Sequence, residues 1–162
     1  MLNILPPDEY FKSLPRKVVS SAVLFTDKHS RLMIVNLTYK NHWGVPGGIV
    51  DENESPKQAA IREIKEELGL DLKNLRLLAV DYVSGEAEKR ERIQFVFGGG
   101  VLDKTEISKV KLQEEELSEY QFADTKGLEK LLSRVTAKRV LACLRNQDKG
   151  VLYLENGEIA LP

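Results

Sequence analysis

The 162-residue sequence is short of several things that commit a chain to a class. It holds one cysteine, Cys143, so it cannot close an internal disulfide, and a reducing compartment is expected. It has no apolar run of the ~20 residues that a membrane helix needs. Its opening, MLNILPPDEYFKSLPRK, lacks the basic flank and unbroken apolar stretch of a secretory signal. Charge of one sign is missing too: 24 Lys and Arg stand against 25 Asp and Glu, a net −1. That balance gives no general pull towards nucleic acid or anionic lipid. Internal repeats and low-complexity tracts are absent. These absences lead to the expectation of a cytoplasmic protein with one domain over residues 1–162. Residues 1–15 carry three prolines and are expected to form an N-terminal arm.

What is present is an ordinary core-forming composition, 42% hydrophobic. KVVSSAVLF alternates and is rich in β-branched residues, which predicts a strand from Lys17 to Phe25. RLMIVNL predicts its hairpin partner, and TYKNHWGVPGG a loop. A helix is predicted over Pro56 to Leu68. Ser55 is its N-cap, Gln58 completes a capping box, Pro56 suits the first turn and Gly69 the C-cap. Ala60, Ile61, Ile64 and Leu68 form its apolar stripe. LRLLAVDYV, RIQFVFGGGVL and EYQFAD predict further strands. TKGLEKLLSRVTAKRVLACLRNQ has helical spacing with a break near Ser133 to Thr136, and Cys143 fits its packed side. VLYLENGEIAL predicts a hairpin turning at Asn156 and Gly157. The order implies an α/β fold, a mixed sheet with helices packed on it.

Three acids then stand out. Glu63, Glu66 and Glu67 crowd the end of the first long helix. Like charges three and four residues apart repel, and the C-terminal end of a helix dipole disfavours carboxylates. Within the helix only Arg62 is placed to reach Glu66 at the next turn. The acids lie beside the apolar stripe, so they should emerge where helix meets sheet. A solvated acidic face is the plain reading. A divalent cation is the other: hard Mg²⁺ takes oxygen ligands from a few carboxylates plus substrate phosphates. The acids' position, and the PGG backbone just upstream, favour the cation.

The spacing is more specific than the chemistry. Gly48 is followed after five residues by Glu54, and after seven more by Arg62-Glu63. Then come aliphatic Ile64, any residue, Glu66-Glu67, any residue, Gly69 and aliphatic Leu70. This pattern resembles the signature box of the Nudix hydrolases at every defined position. The resemblance implies an α/β/α sandwich around a mixed β-sheet and cleavage of a nucleoside diphosphate linked to a group X by water attack on phosphorus. It implies that Glu63, Glu66 and Glu67 ligate the metal, with the backbone carbonyl of Gly47 as a further ligand. It implies Arg62 as the buttress of the glutamates, and Gly48, Glu54 and Gly69 as support for the loop and helix. Mg²⁺ is the implied cofactor, with Mn²⁺ as a substitute. Many family members add an acid from a later loop. Among Glu114, Glu115 and Glu116 the expectation falls on Glu115, against a solvated charge run.

Other candidates are weaker. Gly98-Gly99-Gly100 lacks the Lys-Ser/Thr ending of a phosphate-binding loop and suggests a bulge or close backbone approach. His42 reads as a loop residue, and Trp43 as a packed aromatic before a stacking one. Arg90 and Arg92 read as solvated before phosphate-binding. The expected partner is a small nucleotide or related diphosphate; the expectation excludes a membrane and disfavours nucleic acid. Dimers are common in the family the chain resembles, which favours a homodimer. Two alternatives stay open: a nucleotide-binding module without turnover, and an RNA 5′-end pyrophosphohydrolase.

Overall fold

The alternating segments pair into one mixed sheet in a computed structural model, which describes residues 6–38, 43–72, 74–87 and 90–160. The strands are β1 (Val18–Thr26), β2 (Leu32–Leu37), β3 (Trp43–Gly44), β4 (Arg76–Val83), β5 (Arg92–Val101), β6 (Leu117–Ala123), β7 (Leu152–Glu155) and β8 (Glu158–Ile159). The helices are α1 (Pro7–Ser13), α2 (Pro56–Leu68), α3 (Lys104–Ile107), α4 (Thr125–Leu131) and α5 (Arg134–Arg145). The sheet runs β3-β2-β1-β5-β4-β7-β8, with β6 also paired to β2.

β1 is the middle of the molecule, and its sequence explains why. VVSSAVLFT is buried along most of both faces, as a central strand with helices above and below requires. It runs parallel to β5 over its whole length. The expected hairpin with β2 exists, with Thr26 opposite Leu32, but β2's long partner is β6. β3 pairs with β2, and the chain after it lies along β1. Val23 N–H donates to the Pro46 carbonyl at 2.9 Å, and Val50 N–H to the Val19 carbonyl at 2.9 Å. This loop is therefore bonded into the sheet on both sides.

Two cores follow from the two faces. Val23, Phe25, Met33 and Val35 pack against Ala60, Ile64 and Leu68 of α2. Leu24, Leu32, Ile34, Val96 and Leu154 pack against Leu128 of α4 and Val140 of α5. The result is the expected α/β/α sandwich. Cys143 lies in the second core, and burial pushes its thiol up to about 12, so it is inert packing.

Helix α2 matches its predicted limits, with the reciprocal Ser55–Gln58 capping box in place. One stripe residue does not hold. Ile61 is 37% exposed, while Ala59 and Glu67 are buried. The packed arc centres between Ala60 and Ile64, and Ile61 falls at its edge. The residues expected as an arm include helix α1, none of which is buried. Helix α3 was not anticipated, although Asp103 and Glu106 form a capping box there. The helical stretch breaks where Ser133 caps α5, and the last hairpin turns at Asn156 and Gly157. Gly99 is the bulge residue between β1 and β5, where a Cβ would lie 2.2 Å from the Phe25 ring. His42 lies outside the described residues.

Candidate active site

The end of α2 meets the loop through backbone that only glycine allows. Gly47 has φ of 132°, and a Cβ there would sit 2.2 Å from the Ser21 carbonyl oxygen. A Cβ on Gly48 would sit 2.1 Å from Glu63 Oε1. Bare backbone at these two positions lets the loop close over the helix. Gly47 then donates its N–H to Glu67 Oε2 at 2.8 Å. Gly69 ends the helix, donating its N–H to the Lys65 carbonyl at 3.1 Å.

Arg62 organises one side of the site. It donates through Nε and Nη2 to both oxygens of Glu54, at 3.0 Å each. Its Nη1 reaches Glu63 Oε1 at 2.8 Å and Glu66 Oε2 at 3.1 Å. Its Nη2 also reaches the Ile49 carbonyl at 3.1 Å. Helical spacing alone placed Arg62 within reach of Glu66, and the family resemblance made it the buttress of the glutamates; the structure gives it Glu63, Glu66 and the loop acid Glu54. These bonds, led by Glu54, raise the guanidinium above its already high value, so it stays charged. Arg62's hydrogen bond in turn holds Glu54 below the usual carboxylate range.

Glu67 is the anomaly. It is 3% exposed, and among the described residues the hydrogen-bond partner of its carboxylate is the Gly47 N–H alone. Burial, opposed by that N–H and reinforced by the charges of Glu63, Glu116 and Glu66, pushes its carboxyl up to about 8. Glu63 is raised in the same way, by burial first, with Arg62 pulling back and Glu66 and Glu116 adding to the rise. Glu66 is exposed.

Of the three loop acids, the structure brings Glu116 to the site and not the expected Glu115. The segment after α3 is tied to the end of α2: Lys111 N–H donates to the Leu68 carbonyl at 2.9 Å and Gln113 N–H to the Glu67 carbonyl at 3.1 Å. It then turns into β6, with Thr38 N–H bonded to the Glu116 carbonyl at 2.9 Å. This turn leaves the side chains of Glu114 and Glu115 exposed and Glu116 half-buried, where its charge acts on Glu63 and Glu67. No sequence signal separates three consecutive glutamates; only the turn does.

Chemically, the site is a set of hard oxygen donors with more negative charge than Arg62 can neutralise. That donor set suits a hard divalent cation. Among the described residues no three acids converge as a ready coordination sphere. Arg62 Nη1 instead bridges Glu63 and Glu66, while Glu67 turns to the Gly47 N–H. The backbone carbonyl expected from Gly47 belongs to a residue already bonded to Glu67 through its N–H.

Comparison with known proteins gives a consistent picture. The family model described as the NUDIX domain matches residues 15–144. The chain is 37% identical over 67 residues to an 8-oxo-dGTP diphosphatase of Proteus vulgaris, covering 39% of this chain and 60% of that protein. It is 39% identical over 56 residues to an RNA pyrophosphohydrolase of Hydrogenovibrio crunogenus, covering 35% of this chain and 34% of that protein. The chain thus spans less than two thirds of either relative. Among solved structures, a MutT protein from Methanosarcina mazei superposes with a TM-score of 0.67 at 20% identity, over 85% of this chain and 99% of that one.

Proposed function

The chain belongs to the NUDIX family, and from that premise we propose that it is a metal-dependent hydrolase cleaving a diphosphate bridge in a nucleoside diphosphate linked to X. The carrying observation is Glu67: a buried carboxylate with one N–H partner, facing three other acids. A fold does not need such a group, whereas a cation site does.

Glu63, Glu66 and Glu67 are the residues that would hold the cation, Mg²⁺ or Mn²⁺. When bound, the cation supplies shielding of phosphate oxygens and a lowered pKa for bound water. Arg62 pairs with Glu63 and Glu66 and aligns them, and Glu54 fixes Arg62 from behind. Gly47 and Gly48 keep the loop backbone close to Glu63 and Glu67. Glu116 takes the part first given to Glu115, as an added oxygen donor or as the acceptor of a water proton. Phosphoryl transfer relies on positioning and charge stabilisation more than on covalent chemistry, and this arrangement supplies both.

Small nucleotides are the first substrate class, in line with the matched 8-oxo-dGTP diphosphatase. The matched RNA pyrophosphohydrolase supports a second reading, an RNA 5′ end, which the chain's near-neutral charge had disfavoured. A binding module without turnover has no need of the full acid set. The test is a panel of nucleoside triphosphates, dinucleoside polyphosphates, nucleotide sugars and 5′-triphosphorylated RNA. Each is incubated with Mg²⁺ or Mn²⁺, and products are identified by mass. Cleavage within a diphosphate bridge, lost in excess chelator, is expected. Full activity in chelator sinks the metal-dependent reading.

A further inference from the structure

Strand β1 carries two adjacent serines, Ser20 and Ser21, in a stretch otherwise suited to Val, Ala or Phe. Both are buried, at 7% and 1% exposure. A buried hydroxyl stabilises nothing unless it is bonded, so each has a partner to explain it. Ser20 Oγ donates to Gln94 Oε1 on β5 at 2.9 Å, within the sheet. Ser21 Oγ donates instead to the Pro56 carbonyl at 2.6 Å, in the first turn of α2. The backbone of Ser21 engages the loop as well. Its N–H donates to the Gly48 carbonyl at 2.8 Å, and its carbonyl is the atom that bars a Cβ from Gly47.

One residue therefore touches both halves of the acid site: the loop that bonds Glu67 and the helix that carries all three acids. We propose that Ser21 is a positioning residue, whose hydroxyl fixes the register of α2 against the Gly47-Gly48 loop and so sets the spacing of Glu63 and Glu67 for a divalent cation. This rests on the hydrolase reading above. Ser21 is too buried to meet substrate, so it acts only through the residues it holds. Pro56 lies seven residues before Glu63, about two turns or ~10 Å along the helix. Freeing that end lets the helix pivot over β1, and a displacement at one end moves the acids at the other.

Ser20→Ala and Ser21→Ala form a matched pair: the same strand, the same atom removed, opposite faces. Two readouts are taken on each full-length variant well below its melting temperature. One is the midpoint of a calorimetric Mg²⁺ titration of the folded protein, which needs no turnover. The other is kcat on the best substrate from the panel. Ser21→Ala should raise the Mg²⁺ midpoint and lower kcat by about 10-fold, the usual size for losing a supporting bond behind a metal ligand. Ser20→Ala should leave both within about twofold of wild type, although it too loses a buried hydrogen bond. If Ser21→Ala does not fold, Ser21→Thr keeps the hydroxyl and should show wild-type values; a 10-fold loss there overturns the proposal. Equal behaviour of the two alanine variants also overturns it. Absence of metal-dependent hydrolysis in wild type would instead remove the hydrolase reading.

Discussion

Asp81 and Glu67 are both buried acids, on opposite sides of the sheet, and they are treated differently. Asp81 on β4 is fully buried and fully answered. Arg139 of α5 donates through Nε to its Oδ2 at 2.6 Å, and the Gly157 N–H reaches its Oδ1 at 3.1 Å. Those bonds join the sheet, α5 and the last hairpin. Glu67 has one N–H and three opposing carboxylates. A chain that can build an Asp81 site knows how to neutralise a buried acid with its own residues. At Glu67 it leaves the neutralisation to something else. The contrast separates an acid that serves the fold from an acid that serves a ligand.

Substitution at each acid should break the comparison cleanly. The largest effect is expected from Glu67→Gln, which keeps the shape and the Gly47 bond but removes the charge. Turnover should fall by about 10²–10⁴-fold, the range for losing a group that acts directly in the chemistry. Steady-state kinetics with saturating Mg²⁺ measure it, and near-normal kcat would mean that the centre is misassigned. Asp81→Asn should do the reverse. It strands Arg139 as a buried charge, so unfolding free energy should drop by about 3–5 kcal/mol, read by denaturant titration. The folded variant should retain kcat within about twofold.

A smaller effect sharpens the contrast through pH. The folded, metal-free protein holds Glu67's carboxyl at about 8, while the unfolded chain releases that proton near the ordinary glutamate value of 4.5. Between those values the folded state binds more protons, so this group makes stability fall as pH rises from about 4.5 to about 8. The loss should be on the order of 2–4 kcal/mol, below the ceiling set by ~1.4 kcal/mol per pH unit. Glu67→Gln should remove that component, so variant and wild type match near pH 4.5 and diverge as pH rises. Thermal unfolding in chelator across this range is the measurement. Parallel curves would show that the carboxyl ionises in the folded state as easily as in water.

Much of this was legible in the sequence because it is written locally. Helix α2 announces both its ends, through Ser55, Gln58 and Gly69, and its acids come at fixed spacing. The turn at Asn156-Gly157 and the break before α5 are likewise short-range signals. What was not legible depends on distant partners. Alternation says that β1 is a strand but not that β5 runs parallel to it. Periodicity ranked Ile61 with the core and set Glu67 beside the apolar stripe rather than in it, because it cannot see which arc the sheet covers. The Asp81–Arg139 pair joins residues 58 apart in sequence, and no pattern links them. The hydroxyls of Ser20 and Ser21 likewise find their partners on distant elements, β5 and α2.

The smallest effect concerns the three loop glutamates. Glu114 and Glu115 are exposed, whereas Glu116 is half-buried and raises the carboxyls of both Glu63 and Glu67. Glu116→Gln should lower kcat by about 10-fold if the residue supports the cation or the water, in the range for groups just behind a metal site. Glu114→Gln and Glu115→Gln should stay within about twofold. The metal-free protein gives a second reading of the same geometry. Removing Glu116's charge relieves repulsion on two acids, so melting in chelator should rise slightly, and Mg²⁺ should then stabilise the variant less than wild type, because part of what the cation neutralises is gone. Neither shift is expected from the exposed pair, whose charges are screened by solvent. Equal, small effects from all three substitutions would return the run to a solvated charge cluster, and the cation site would then consist of the α2 acids alone.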